Sequence, residues 1–383
     1  LFLAYFGLIQ VLNKNKKMKM KIKTLTLLFL LFFIACNTKK QESPIKIENL
    51  GGKQIILPDR FLGEYILGVV DNLFITYNSK DNKTLCYSYY LKGDSLVYNH
   101  NIIGKGQGAT DLITPFFAVS PNFVSICDFS ENTKMIRIPK EKLYHLEEND
   151  KEVTKSTAQT MIVPSKYQNG YVWLDDEKFL YIGSDFEKKN ILSVSDLTNH
   201  KVTSCNMWFD DSFKGEDYIK QIAYTTSASI YKHPSKNIFV YTCGYGKYIE
   251  TFTLNTSYEI TNRKIILNRK PLYKVAQDGL NCKMIRGEGS SSEGIEYVIL
   301  TEKYIYIMPN NLIFDEKGNF LSYKGYSYTH NDTFEVYDWE GNHIKNIMLA
   351  LPAYNFAWNN QYKILYALTE KGDEEILMQY SLE

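Results

Sequence analysis

Proline is scarce in this chain, ten among 383 residues, while 44% of the residues are hydrophobic and 14% aromatic, which is not the composition of a disordered polymer. Histidine is scarcer still. His100, His145, His200, His233, His330 and His343 form no HExxH or HxH and stand at no ligand spacing from Cys or Asp, so the local zinc signatures are missing. Each of the six reads as a surface or loop residue. Cys86, Cys127, Cys205, Cys243 and Cys282 are far apart with no CxxC, which leaves neither a metal ribbon nor a redox motif and favours buried thiols over a disulfide framework. No GxSxG nucleophile elbow occurs. The apolar run Leu25 to Ala35 is too short for a comfortable transmembrane helix. No basic stripe is present, so a nucleic-acid partner is not expected.

The N-terminus reads as an address. A lysine-rich stretch from Lys14 to Lys23 precedes the Leu25–Ala35 run, and polar residues follow Cys36. That is the n-region, h-region and cleavage site of a signal peptide over residues 1–35. Leu1 to Leu12 form a second apolar patch, and translation is expected to start after residues 1–17, at Met18 or Met20. Six lysines and no acid lie in residues 1–35, so removing them turns the formal net charge of +1 into −5. Phe33-Ile34-Ala35-Cys36 resembles a bacterial lipobox, with Phe33 in place of the commoner Leu. The resemblance implies that Cys36 is lipidated, that residues 36–44 are a polar tether, and that the acyl chains hold the protein on a membrane. Asn37 follows the lipidated position where an inner-membrane retention signal would place Asp, so the outer membrane is the expected site, facing the periplasm or the surface.

From residue 45 onward the pattern is strand, turn, strand. The last stretch is the clearest. Phe334 and Val336 alternate with polar neighbours, Asp338 to Asn342 turns the chain, Tyr354, Phe356 and Trp358 alternate, and Ile376, Met378, Tyr380 and Leu382 alternate again. Gly, Asn and Asp between the runs suit tight turns. Upstream, similar units span Tyr65 to Leu112, Phe116 to Lys142, Tyr171 to Phe209, Ile222 to Val275, and Tyr297 to Leu349 with an inserted hairpin over Asn310 to Asn331. The second unit shows three strands and a charged tail, Glu141 to Lys155, read as an exposed loop or short helix.

Six units of strand meander predict an all-β, six-bladed β-propeller over residues 45–383. The sixth unit, Tyr354 to Leu382, has three strands, and Ile45 to Leu57 is a strand or hairpin without a unit. Pairing the two closes the ring and hides two sheet edges. A pair of β-sandwiches is the other architecture this pattern allows.

The motifs Tyr304-Ile305-Tyr306, Thr333 to Asn342, Phe356-Ala357-Trp358 and Ile364 to Ala367, with the glycine-rich Gly104 to Gly108, resemble the TolB-like six-bladed propeller lipoproteins of Bacteroidetes-type bacteria. The resemblance implies fold and envelope location. It carries over no catalytic residue.

Gly104-Lys105-Gly106-Gln107-Gly108 invites comparison with a phosphate loop, but no strand-then-helix context and no Lys-Ser pair follow, so it reads as a crossing between sheets. Asp128-Phe129-Ser130-Glu131-Asn132 reads as an acidic turn. Trp173, Trp208, Trp339 and Trp358 read as core. The loop holding Arg286, Glu288, Ser290 and Glu293 is the candidate channel-mouth site. Two functions stay open. One is a monomeric, non-catalytic binding or scaffold module for an envelope protein, peptide or glycan. The other is a channel-mouth enzyme, such as a metal-dependent lactonase, lyase or glycan hydrolase, built from acids and histidines that converge from different blades. An acid-and-histidine mouth would favour the second, and an apolar channel the first.

Overall fold

The computed structural model describes residues 45–108, 111–128, 134–144, 159–162, 170–183, 189–285, 294–310, 313–314, 320–321, 330–372 and 374–382. Residues 1–44, including the expected signal peptide, tether and Cys36, lie outside them. Six antiparallel sheets form six blades of a propeller. Blade one is Tyr65–Val70, Leu73–Tyr77, Thr84–Lys92 and Ser95–Gly104; blade two is Pro115–Val119, Phe123–Asp128, Lys134–Pro139 and Gln159–Ile162. Blade three is Tyr171–Trp173, Lys178–Ile182, Leu192–Asp196 and Lys201–Ser204; blade four is Ser229–Lys232, Phe239–Cys243, Tyr248–Leu254 and Ile260–Asn268. Blade five contributes Ile295–Leu300, Tyr304–Pro309, Asn331–Asp338 and His343–Ala353, and blade six Asn355–Asn359, Ile364–Lys371 and Glu374–Ser381. The first strand of each blade is its inner strand, and inner strands of successive blades pack side by side around the axis.

The ring closes as the strand count requires, with one correction. The N-terminal segment is not one strand of the last blade. Lys46–Leu50 runs parallel to His343–Ala353 and makes a fifth strand on blade five. Lys53–Ile55 then pairs antiparallel with Glu374–Ser381 as the fourth strand of blade six. Ile56 goes on to blade one, its N–H donating to the Asp94 carbonyl at 2.8 Å and its carbonyl accepting from Leu96 N–H at 2.9 Å. Eleven residues, Lys46 to Ile56, thus tie three blades. The step between blades is Gly51-Gly52, and a Cβ on Gly52 would sit 2.5 Å from the Tyr380 ring. Only glycine lets the backbone pass that close.

Other differences are local. Blade two has the fourth strand Gln159–Ile162, paired with Lys134–Pro139, and its charged tail opens with the short helix Lys140–Tyr144. A nine-residue helix, Asp217–Thr225, precedes blade four and buries Ile219, Ala223 and Tyr224. Their i, i+4, i+5 spacing is the one-sided stripe of an amphipathic helix. A hairpin, Tyr273–Val275 with Cys282–Met284, packs against it. The expected insertion in blade five contains the paired strands Ile313–Phe314 and Phe320–Leu321. No described helix is long and apolar enough to cross a membrane.

The wealth of aromatics has a packing reason. Twisted sheets fan apart away from the axis, and the wedges between them are filled by large rings. Phe74, Tyr89 and Tyr366 join Ile55 and Leu377 between blades six and one, while Tyr306, Phe334, Phe356 and Tyr380 fill the space between five and six. Each such ring buries roughly 150–250 Å². All five cysteines of the propeller are free, four of them buried and Cys282 half-buried.

Candidate functional site

The inner strands enclose a cavity of about 460 Å³. Its wall comes from five blades: Phe116 and Phe117 from blade two, Tyr171 and Trp173 from blade three, Tyr231 from blade four, Tyr297 from blade five and Trp358 from blade six. Aliphatic residues such as Val119, Ile230 and Leu300 fill the gaps between the rings. Among the described residues, Lys232 is the one charge of the wall, and no carboxylate lines it. Trp173 and Trp358 line the channel and also pack in the core, as sequence reasoning expected: Trp173 is 5% exposed within a core cluster and Trp358 packs against another. Strand geometry explains the convergence. An inner strand has no partner on its axial side, so its residues face the axis or the neighbouring blades, and large flat side chains can do both.

The rings are fixed from behind. Trp173 Nε1 donates to Ser125 Oγ at 2.8 Å, and Tyr171 shares that hydroxyl at 2.8 Å. Phe123 packs edge-on to Trp173 at 4.8 Å, with the Arg137 guanidinium 3.9 Å above the Phe123 ring. Across the channel, the Trp358 backbone N–H donates to Tyr297 Oη at 3.2 Å. Burial pushes the Tyr171, Tyr231 and Tyr297 phenols above their usual range, so all three stay neutral at ordinary pH and serve as hydrogen-bonding groups rather than bases. Trp358 Nε1 differs from Trp173 Nε1: it is shielded from solvent and has no partner among the described residues. Lys232 lies at the far end of its inner strand, exposed, with its Nζ 3.5 Å from the Leu174 carbonyl.

The opposite rim, where the inner strands begin, is more polar. Glu296 is the extra residue of a bulge between Ile295 and Tyr297. It reaches solvent, yet the protein crowding its carboxyl pushes its pKa up to about 7. Tyr354 Oη donates to Glu375 Oε1 at 3.4 Å, and burial beside Glu370 and Glu64 raises the Glu375 carboxyl. Glu64 pairs with Lys80 at 3.0 Å and accepts from Ser79. His330 Nε2 stands 3.7 Å from Glu370. Among the described residues no three His, Cys, Asp or Glu side chains converge at metal-holding distance.

Arg286, Glu288, Ser290 and Glu293 lie outside the described residues, and so does most of the acidic turn after Asp128. Two histidines differ from expectation. His233 and His330 are buried, each 2% exposed. His233 Nδ1 accepts the backbone N–H groups of Ser235 and Lys236, both at 3.1 Å, which makes it a turn clamp. The space beside the glycine loop is filled by the chain itself. The Asp111 carboxylate lies where Cβ atoms on Gly106 and Gly108 would fall, and accepts from Gly108 N–H at 3.2 Å. Lys134 Nζ locks the loop through the Asp111 carbonyl at 2.8 Å.

Sequence reasoning missed Tyr231, Lys232, Glu296 and Tyr297. The available signal was positional: each lies in the first strand of its unit, the strand that ends up innermost.

Comparison with known proteins is consistent with this geometry. A family model described as TolB-like 6-blade propeller-like matches residues 65–361. A crystal structure of a Bacteroides fragilis protein described as exported superposes with a TM-score of 0.51 at 13% identity, covering 88% of this chain and 99% of its own. Raptor from Chaetomium thermophilum, at 11% identity, covers 87% of this chain and 29% of its own with a TM-score of 0.41, too low to bear on the fold. No curated protein matches in sequence.

Proposed function

The chain belongs to the TolB-like six-bladed propeller family, and from that premise we propose that it is a non-catalytic binding or scaffold module that takes its partner at the central channel. One observation carries the reading: seven aromatic residues from five blades line a cavity in which, among the described residues, Lys232 is the single charge and no carboxylate is present. Catalysis by proton transfer or hydrolysis needs paired acids, bases or an activated nucleophile. This wall supplies apolar contact area and neutral phenols instead, the composition of a recognition pocket. The partner in this reading is an envelope protein, peptide or glycan that inserts a group into the channel.

We further propose that residues 1–35 are a signal peptide and that Cys36 carries the lipid that holds the propeller on the outer membrane. The exported character of the Bacteroides fragilis neighbour is in keeping with this. Metabolic labelling with radioactive palmitate should mark the wild-type protein and not the Cys36→Ser variant. Label retained by Cys36→Ser would reject the anchor.

A channel-mouth enzyme is the second reading, and Glu296 is the observation in its favour, an acid titrating near neutrality at the polar rim. Native mass spectrometry with metal analysis separates the two. The binding reading expects an organic adduct or a co-purifying envelope protein. A stoichiometric metal together with turnover of a lactone or glycan, abolished by Glu296→Gln, would establish the enzyme.

A further inference from the structure

The channel has a polarity that its apolar lining alone does not explain. Lys232 stands at the end of the blade-four inner strand and belongs to the cavity wall. Among the described residues no carboxylate lies within ion-pair distance of its ammonium, and its polar contact is the Leu174 carbonyl at 3.5 Å. The acids on the nearby turns have partners of their own, although Asp176 Oδ1 is buried without one among the described residues. Asp175 pairs with Lys178 at 3.6 Å, Asp176 accepts from Asn122 at 2.5 Å, and Glu302 accepts from Ser235 at 2.8 Å. A cation beside aromatic, low-dielectric walls projects its field into the cavity rather than into a neighbouring acid.

At the same end of the blade-six inner strand sits Trp358, whose indole N–H lacks a partner among the described residues. A shielded donor without an acceptor costs free energy that an incoming acceptor recovers. The wall therefore offers flat apolar faces along its length, with a positive charge and an unmet donor toward one end.

We propose that the channel binds a small aromatic anion, a planar apolar body with a carboxylate or equivalent acidic group directed at Lys232. This rests on the channel-binding reading and narrows it to a ligand class. The half-buried rings of Tyr231 and Tyr297 lie against the body, and Lys232 and Trp358 select the charged, hydrogen-bond-accepting end. The neutral phenols can donate to the same group without competing for its charge.

The test is calorimetric titration of the full-length protein in lipid nanodiscs, with empty nanodiscs as baseline, using 2-naphthoate and its neutral isostere 2-naphthamide. Saturable one-to-one binding of 2-naphthoate is expected. Lys232→Met, which keeps the aliphatic stem, should weaken 2-naphthoate by about tenfold or more, as for a desolvated charge pair, and leave 2-naphthamide within about twofold. Lys232→Arg should restore binding of the anion. Trp358→Phe should weaken both ligands by roughly three- to tenfold through loss of one hydrogen bond. Leu280→Ser, at an exposed hairpin tip away from the cavity, should change neither. Unfolding midpoints of the variants show whether any loss is simply a loss of fold. If 2-naphthamide binds as well as 2-naphthoate and Lys232→Met has no effect on either, the anion class is overturned while the channel remains a binding site. If neither probe binds the wild-type protein, the aromatic-anion proposal is overturned, while the channel reading stands or falls with the co-purification test above.

Discussion

Asn355 and Ile66 pair as though the asparagine side chain were a strand. Asn355 Oδ1 accepts the Ile66 N–H at 2.8 Å, and its Nδ2 donates to the Ile66 carbonyl at 3.3 Å. The two residues are 289 positions apart and belong to the inner strands of blades six and one. Asn359, four residues on, repeats the device by donating to the Asp71 carbonyl at 2.5 Å. Inner strands of adjacent blades cannot share a ladder, so side-chain amides bridge them at the seam where the ring closes. Asn355→Leu removes both bonds and strands the Ile66 amide and carbonyl. It should cost about 1–3 kcal/mol, read as a lower urea midpoint with an unchanged slope. A cost near zero would mean that water replaces the amide and that the seam is held by the outer strands.

The outer half of that seam makes a second, sharper prediction. Ile55, on the strand that completes blade six, is 1% exposed and packs in the cluster with Phe74, Tyr366 and Leu377. Ile47, on the strand added to blade five, is 58% exposed. Ile55→Ala should destabilise by about 2–5 kcal/mol, whereas Ile47→Ala should stay within about 0.5 kcal/mol. Equal effects in thermal unfolding would show that the N-terminal segment acts as one unit rather than as two strands serving two blades.

These residues also mark where the sequence was readable. Alternation located the inner strands of all six blades, because a strand buried on both faces still leaves a short apolar run between turns. Closure was recoverable by counting strands. What alternation could not locate was the change of blade inside residues 45–57. Gly51-Gly52 reads as an ordinary turn, and the period of two continues past it. Gln159–Ile162 was hidden because a charged insertion separates it from its partner. The helix Asp217–Thr225 did carry its signature in Ile219 and Ala223, but the surrounding strand pattern masked it. The channel wall was least legible. It gathers residues from Phe116 to Trp358, and no local motif records that they meet.

The glycine-rich loop permits a double-mutant test of its self-filled geometry. A Cβ on Gly108 would fall 2.5 Å from Asp111 Oδ2, and its three nearest neighbours all belong to the Asp111 side chain. Gly108→Ala should therefore destabilise by about 1–3 kcal/mol through overpacking. Asp111→Ala costs its own hydrogen bond but clears the space. The double variant should be less destabilised than the sum of the two, with a coupling of about 0.5–3 kcal/mol. Additivity in denaturant titrations would mean that the loop moves away from Asp111 instead of being built around it.

Glu296 links the rim to pH. Its carboxyl is raised to about 7 because crowding by protein disfavours the charged form. In the unfolded chain an ordinary glutamate titrates at roughly 4.3. Between those two values the folded protein holds the proton and the unfolded chain does not, so stability contributed at this position falls as pH rises and levels off above about 7. Glu375, raised by burial near Glu370 and Glu64, slopes the same way, so the wild-type profile alone does not isolate Glu296. The difference between wild type and Glu296→Gln does. The urea midpoint of the glutamine variant should gain on wild type as pH rises from 5 toward 7, and the gap should be constant above that. A gap that is flat across the whole range would place the Glu296 carboxyl in open water, with an ordinary acidity, and would remove the observation that favours proton transfer at the rim.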